Sequence, residues 1–294
     1  MKIALSILGL ALVSVFNAPA QVVTVKLSLE QDQFLPGESL PVKLCVTNNS
    51  GQSLYLGEDA GWLKFSVESA DNSFVVMKND DPPVAGAFDL GSSQVATKRV
   101  DLAPYFVMTH EGRYRVVATV HIPEWGRDVA SPPLEFDVID GARLRELDFG
   151  VPVPAGVTNQ LPVVRKYILE KANYLQQQLR LYVLVGDQSG TRILKASAIG
   201  PMVSFSQPEA QLDRASNLHV IYQSGAQSFI YSVVNPDGNI TQQELYDILG
   251  SRPHLGVNAA GDIVEQGGVR RVKPGEMPAV KAPDELPAPV PAKP

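Results

Sequence analysis

Few residues in this chain have the type and spacing to do chemistry. The densest group is Asn235-Pro236-Asp237-Gly238-Asn239-Ile240-Thr241-Gln242-Gln243-Glu244. Laid on a twelve-position calcium loop that begins at Val233, it places oxygen donors at the third, fifth and ninth positions. Gly238 then falls at the sixth and Glu244 at the twelfth. Asn235, Asp237 and Glu244 are the candidate metal ligands, and calcium is the one cofactor the sequence offers. The first position is Val233 where an aspartate is needed. Ser228 to Val234 also reads as a strand, whereas such a loop follows a helix. A hairpin turn is therefore the expected form, with no cofactor.

His110, His121, His219 and His254 show no metal-ligand spacing. His219 lies inside the strand-like run Leu218 to Tyr222, where a structural role outweighs catalysis. Cys45 is the only cysteine and has no histidine or asparagine partner in a nucleophile signature, so it is expected to be buried as a small hydrophobe. There is no Gly-x-Ser-x-Gly elbow and no phosphate-binding glycine loop. Asp80-Asp81 precede Pro82-Pro83 and read as a solvated loop. Tyr222, Phe229, Tyr231 and Tyr246 give the second half an aromatic bias. Aromatics on an exposed sheet would suit an extended peptide or a glycan; packing in the core is the plainer reading. No residue is assigned to catalysis, and the chain is expected not to be an enzyme.

The elements that must position these residues are strands. Gly and Pro number 23 each, and long helical patterns are scarce. Val23, Val25, Leu27 and Leu29 alternate with polar residues, as do Val42, Leu44 and Val46, then Val116, Ala118, Val120 and Ile122. This period of two marks half-buried strands. Leu35-Pro36-Gly37-Glu38 reads as a turn, and Asp71-Asn72-Ser73 as the turn of a hairpin between Trp62–Val67 and Phe74–Met77.

Glu111-Gly112-Arg113-Tyr114-Arg115-Val116 resembles the approach to the sixth strand of immunoglobulin-like domains. In that family a tyrosine here forms a corner two residues before a cysteine, so the resemblance implies a structural role for Tyr114. Val116 stands in place of the cysteine. Trp62 resembles the family's core tryptophan, again a structural role. Cys45 lies on the second strand but with the wrong parity for a core disulfide. The resemblance implies a disulfide-free Ig-like β-sandwich over residues 21–141.

Residues 142–162, with Gly150-Val151-Pro152-Val153-Pro154 at their centre, read as a linker. Residues 163–273 form the second domain. From 163 to 180 the apolar spacing fits either a helix or two strands, with strands preferred because the stretch ends in Leu-Tyr-Val-Leu-Val. Turns are expected at Gly186–Gly190, Gly225-Ala226 and Asp237-Gly238. Gln211-Leu212-Asp213 with Asn217-Leu218-His219-Val220 can be laid over Leu255 to Val264, at an offset of about 45 residues. That strand-turn-strand texture resembles β-propeller blades, although only about two fit and a closed propeller needs four or more. The fold class is thus mainly β: an N-terminal Ig-like β-sandwich and a C-terminal antiparallel β region with blade-like repeats. Residues 274–294 are rich in proline and alanine and are expected to be extended and disordered.

Residues 1–20 read as a signal peptide, with Lys2, an apolar run to Phe16, and Ala18-Pro19-Ala20 before the cleavage point. The expected location is secreted or periplasmic, with no stable membrane anchor. A net charge of −6 gives no footprint for nucleic acid. The chain resembles secreted bacterial proteins that join an Ig-like module to propeller-blade-like repeats. The expected role is a non-enzymatic binding or assembly protein of the bacterial envelope or exterior. Its partner would be another protein, or copies of itself meeting through β edges, with a glycan as the further ligand class. The alternatives are a secreted protease inhibitor or chaperone-like protein that adds a strand to its target, using loops such as Asn79 to Phe88, and an accessory unit or enzyme of glycan degradation using His219 and Asp213.

Overall fold

The computed structural model describes residues 23–84, 86–152, 163–174 and 178–272. The expected signal peptide (1–20), the expected tail (274–294) and residues 153–162 of the expected linker lie outside them. The described residues are mainly β, with no α-helix. The strands run β1 (Val23–Ser28), β2 (Gln33–Phe34), β3 (Pro41–Asn48), β4 (Leu54–Leu56), β5 (Leu63–Ser69) and β6 (Met77–Lys78). They continue with β7 (Phe88–Leu90), β8 (Gln94–Asp101), β9 (Phe106–Val107), β10 (Gly112–Ile122), β11 (Arg127–Ala130) and β12 (Leu134–Val138). The second half holds β13 (Ala142–Gly150), β14 (Val164–Tyr174), β15 (Gln178–Asp187), β16 (Ile193–Pro201), β17 (Glu209–Leu212) and β18 (Leu218–Gln223). Last come β19 (Ser228–Val234), β20 (Ile240–Asp247), β21 (His254–Val257), β22 (Ile263–Gln266) and β23 (Val269–Arg270).

Two compact units share the chain. The first holds residues up to Glu30, Leu40–Phe106 and Tyr114–Glu135; the second holds Gln31–Ser39, Val107–Arg113 and everything from Phe136. A single cut at residue 141 therefore misses three short segments. The reason is visible at Leu35: the turn Leu35–Glu38 is not simply solvated, because Leu35 is buried against Ile168, Tyr182 and Leu184.

In the first unit, β3 pairs antiparallel with β1 on one side and β8 on the other. A second sheet forms around β10, paired with β5 and β11. Alternation decides which face is buried: β5 reads buried–exposed at every step, and β10 buries Tyr114, Val116, Ala118, Val120 and Ile122. Tyr114 is fully buried beside Phe74, ring centroids 5.2 Å apart. Trp62 is buried too, but on a 3-10 turn (Ala60–Trp62) just before β5 rather than on the strand. Its Nε1 donates to the Val84 carbonyl at 2.8 Å, and its ring meets Phe88 edge-on.

Two expectations fail here. Cys45 is only half-buried: Val42, Leu44 and Val46 take the core face, so the odd-numbered neighbour points outward, its Sγ 3.7 Å from Thr97 Oγ1. The turn at Asp71–Ser73 is present, with Asn72 at φ 56°, but it does not join a hairpin. Beyond it the chain leaves β5, and Asn79 N donates to Tyr105 O at 2.8 Å instead.

In the second unit, β13-β14-β15-β16 form one antiparallel meander and β17-β18-β19-β20 another, the latter extended by β23. Ala142–Gly150, expected as linker, is thus a full strand paired along Val164–Tyr174. The ambiguous stretch from 163 is strand, as preferred. Its near-helical spacing arises because a strand buried on both faces need not alternate. One face of each meander joins a single core of Leu181, Val183 and Val185 against Leu218, Val220 and Tyr222. The opposite face of the second meander, with Ile221, Phe229, Tyr231 and Val233, is covered by Leu255 and Ile263 of the two-stranded β21–β22 sheet.

Candidate functional site

Three hairpin turns in the second unit share one construction. Asp213 N donates to Asn217 O, Asn235 N to Asn239 O, and Asn258 N to Asp262 O. In each, the first residue's Oδ1 accepts two backbone N–H groups further round the turn. The fourth residue takes a positive φ: Ser216, Gly238 and Gly261. This is the three-residue hairpin loop with a left-handed residue before the returning strand. The overlay of Asp213 on Asn258 therefore matches two equivalent turns, and a third stands between them.

The calcium candidates fall on the middle turn and are not drawn into one shell. Asn235 Oδ1 is occupied by the amides of Asp237 and Asn239, at 3.2 and 2.8 Å. Asp237 faces Arg165 at 3.4 Å. Glu244 lies well up β20, accepting from the Tyr246 hydroxyl at 3.1 Å and paired with Arg270 at 3.6 Å. The element before the turn is a strand, as the hairpin reading requires.

The first turn carries the densest polar group. Asp213 Oδ2 accepts from Asn217 Nδ2 at 2.8 Å and lies 3.4 Å from His219 Nε2. His219 Nδ1 is 2.7 Å from the Tyr231 hydroxyl. The Tyr231 hydroxyl also hydrogen-bonds the Glu265 carboxylate, so it joins the imidazole to a second acid. Burial raises the Asp213 carboxyl, but bonds from Asn217, His219 and Ala215 outweigh it and hold the group below its usual range. Burial, then the nearby Glu265 and Glu244 carboxylates, push the Tyr231 phenol far above its usual range. The Tyr246 phenol is raised in the same order of causes.

A carboxylate–imidazole–hydroxyl series has the composition of a nucleophile relay, but here its groups are spent on one another. Both imidazole nitrogens are occupied, and Tyr231 is 2% exposed and firmly protonated. The arrangement braces β17, β18 and β19 beneath the third hairpin. The other aromatics behave alike. Tyr222, Phe229, Tyr231 and Tyr246 are all buried, as the core-packing reading expects and an exposed aromatic surface does not. Tyr222 donates to Ile199 O at 2.6 Å, and Tyr167 to Ser216 O at 3.0 Å.

The other histidines lie apart. His121 meets Asp128 across β10 and β11 at 2.6 Å, and His254 approaches Arg252 O. The loop from Asn79 to Phe88 is anchored at Val84 by Trp62. Sequence reasoning missed an open cleft of about 620 Å³ lined by Glu111, Arg113, Asp137 and Asp140. Arg113 forks onto Asp137 at 2.9 and 3.4 Å, and a hydrogen bond with Asp140 raises the Glu111 carboxyl. The only signal was the paired acidic ends of Glu111-Gly112-Arg113 and Asp137–Asp140. Among the described residues no group of three metal-ligating side chains converges, and no helix is long and apolar enough to cross a membrane.

No family model matches the chain, and no curated protein matches it. Among solved structures it is similar to the sporulation control protein Spo0M from Bacillus subtilis, at 14% identity. The match covers 69% of this chain and 80% of that one, with a TM-score of 0.31, too low to carry an argument.

Proposed function

We propose that this is an exported, non-enzymatic protein of the bacterial envelope or exterior that works by assembly, with copies of itself as partner. Export is supported by the apolar leader and small-residue cleavage site at 1–20. An Ig-like sandwich in the first unit is supported by buried Tyr114 on β10 and by two sheets with one apolar face each. Blade-like repeats in the second are supported by the two four-stranded meanders and the three equivalent turns. The structural bonds of Asp213, His219, Tyr231 and Glu244 favour a non-enzymatic role.

The observation that carries the reading is an unfinished sheet. After two four-stranded meanders, β21–β22 has two strands. The outer edge of β21 is occupied: Leu255 N donates to Glu209 Oε2 at 3.0 Å. The ladder bonds of this hairpin fall at Asn258/Asp262 and every second residue onward, so Ile263 N–H points out from the β22 edge. A strand from a second copy would complete the sheet there.

Light scattering of the secreted chain tests this. A defined oligomer is expected, and Ile263→Pro, which removes the outward donor without touching the hairpin's own bonds, should shift it to monomer. A monomer at every concentration overturns the assembly reading.

A further inference from the structure

The sequence holds two Asn-x-Ser/Thr triplets, the acceptor pattern for an N-linked glycan: Asn48-Asn49-Ser50 and Asn239-Ile240-Thr241. The fold treats them oppositely. Asn48 is fully buried, and its Nδ2 donates to Gln52 O and Leu90 O, both at 2.8 Å. Neither of its amide hydrogens is left for chemistry. Asn239 is exposed at the end of the middle turn, just after Gly238 at φ 78°. Its Oδ1 accepts from Lys195 Nζ at 2.5 Å, and among the described residues its Nδ2 has no partner.

The residues around Asn239 are equally accessible. The register between β19 and β20 jumps here: Val234 faces Ile240 and Val233 faces Gln242, so Thr241 is the extra residue of a β-bulge. A bulge re-aims its side chain. Thr241 is exposed, with only a long bond from Oγ1 to Val233 O at 3.3 Å. Asp237, two residues before Asn239, has a side chain 71% exposed. It completes the longer pattern, acidic-x-Asn-x-Thr, that bacterial transferases read. On its other edge, β20 is paired with β23 only at Tyr246 and Asp247. Beside Ile240 to Gln243 lies an open groove of about 420 Å³, so an enzyme can approach this segment without displacing a described strand.

That open edge also gives a glycan a task. Ile240-Thr241-Gln242-Gln243 carries no lysine and no proline, the residues that normally protect an edge from pairing. A bulky, hydrated glycan at the head of the run would stand across it.

We propose that Asn239 is an acceptor for an N-linked glycan, which shields the open edge of β20. The donor is an oligosaccharide carried on a lipid diphosphate, and the catalyst is a separate membrane-bound transferase. The Nδ2 lone pair attacks the anomeric carbon of the first sugar. The new N–C bond forms as the C–O bond to the diphosphate breaks. The lipid diphosphate leaves with that electron pair, and one Nδ2 proton passes to solvent. In the cell this rests on the export reading, which brings the chain to such an enzyme, and not on assembly through β22.

The test gives the purified, folded full chain to membranes that carry such a transferase and its lipid-diphosphate oligosaccharide. Peptide mass spectrometry then locates the added sugar. Starting from purified chain keeps export out of the result. The glycan is expected at Asn239 and not at Asn48. Thr241→Ala, which keeps the asparagine but removes the hydroxyl two residues on, should abolish transfer, and Thr241→Ser should retain it. Slow amide exchange at Val220 and Tyr231 reports that each variant is folded. No glycan at Asn239, equal occupancy at Asn48, or transfer unchanged by Thr241→Ala overturns the proposal.

Discussion

Strand β5 in the first unit buries every second residue, whereas β15 and β19 in the second bury six in succession. The difference is one of layers. A sheet with one covered face can leave its polar side chains in water. A sheet covered on both faces must take some of them inside, and each then needs a partner. The second unit meets that need with tyrosines whose hydroxyls reach backbone carbonyls, and with the Asp213–His219–Tyr231 series. Among the described residues, no buried side-chain nitrogen or oxygen lacks a hydrogen-bond partner. His219 and Tyr231, polar residues inside the stacked sheets, are each within hydrogen-bond distance of the other.

The largest expected effect sets the stacked core against the exposed face of the first unit. Leu181→Ala, between the two meanders, should cost about 2–5 kcal/mol in urea unfolding. Val95→Ala, at a side chain 58% exposed on β8, should stay within about 0.5 kcal/mol of the parent. Comparable losses at both sites would mean that the two units bury their strands alike.

Tyr231→Phe should cost about 1–3 kcal/mol, because it strands His219 Nδ1 in a buried site. Asp213→Ala should cost about 1–2 kcal/mol through the lost bonds of its turn. That contribution has a definite sign with pH. The folded carboxyl lies below its unfolded value, so its stabilisation is complete above the ordinary aspartate range and fades as pH falls through the folded value. Thermal melts of parent and variant should therefore converge in acid.

How much of this was legible in the sequence follows from the same contrast. Alternation marked β1, β3 and β10, because one face of each meets water. The turn residues marked the hairpin at Asp237-Gly238, and the 45-residue repeat set Asp213 over Asn258, because local hydrogen bonds make those turns. The stretch Val164–Tyr174 stayed ambiguous because double burial erases the alternation. Leu35 gave no sign that it would enter the second unit's core. The meeting of His219 with Tyr231 is set by register: His219 pairs with Val233, and Tyr231 is the diagonal neighbour two residues away. A sequence contains both residues but not the register between them.

The smallest effect runs the other way. Burial raises the Glu38 carboxyl despite bonds from Leu35 N and Gln31. Its protonated form favours folding at low pH, and that contribution is lost as pH rises through the folded value. Glu38→Gln should raise neutral-pH stability by less than about 1 kcal/mol, with the gain vanishing below the ordinary glutamate range. Melts from pH 4 to 8 would show it; a destabilised variant at neutral pH would mean that attraction to Arg180 outweighs burial.

The central claim is that Asp213, His219 and Tyr231 act as one structural brace. A double-mutant cycle in urea unfolding, using Asp213→Ala and Tyr231→Phe singly and together, tests it most directly. The two residues both contact His219, so the account predicts a coupling of about 0.5 kcal/mol or more between them. Strictly additive losses, or no loss from either change, would contradict it.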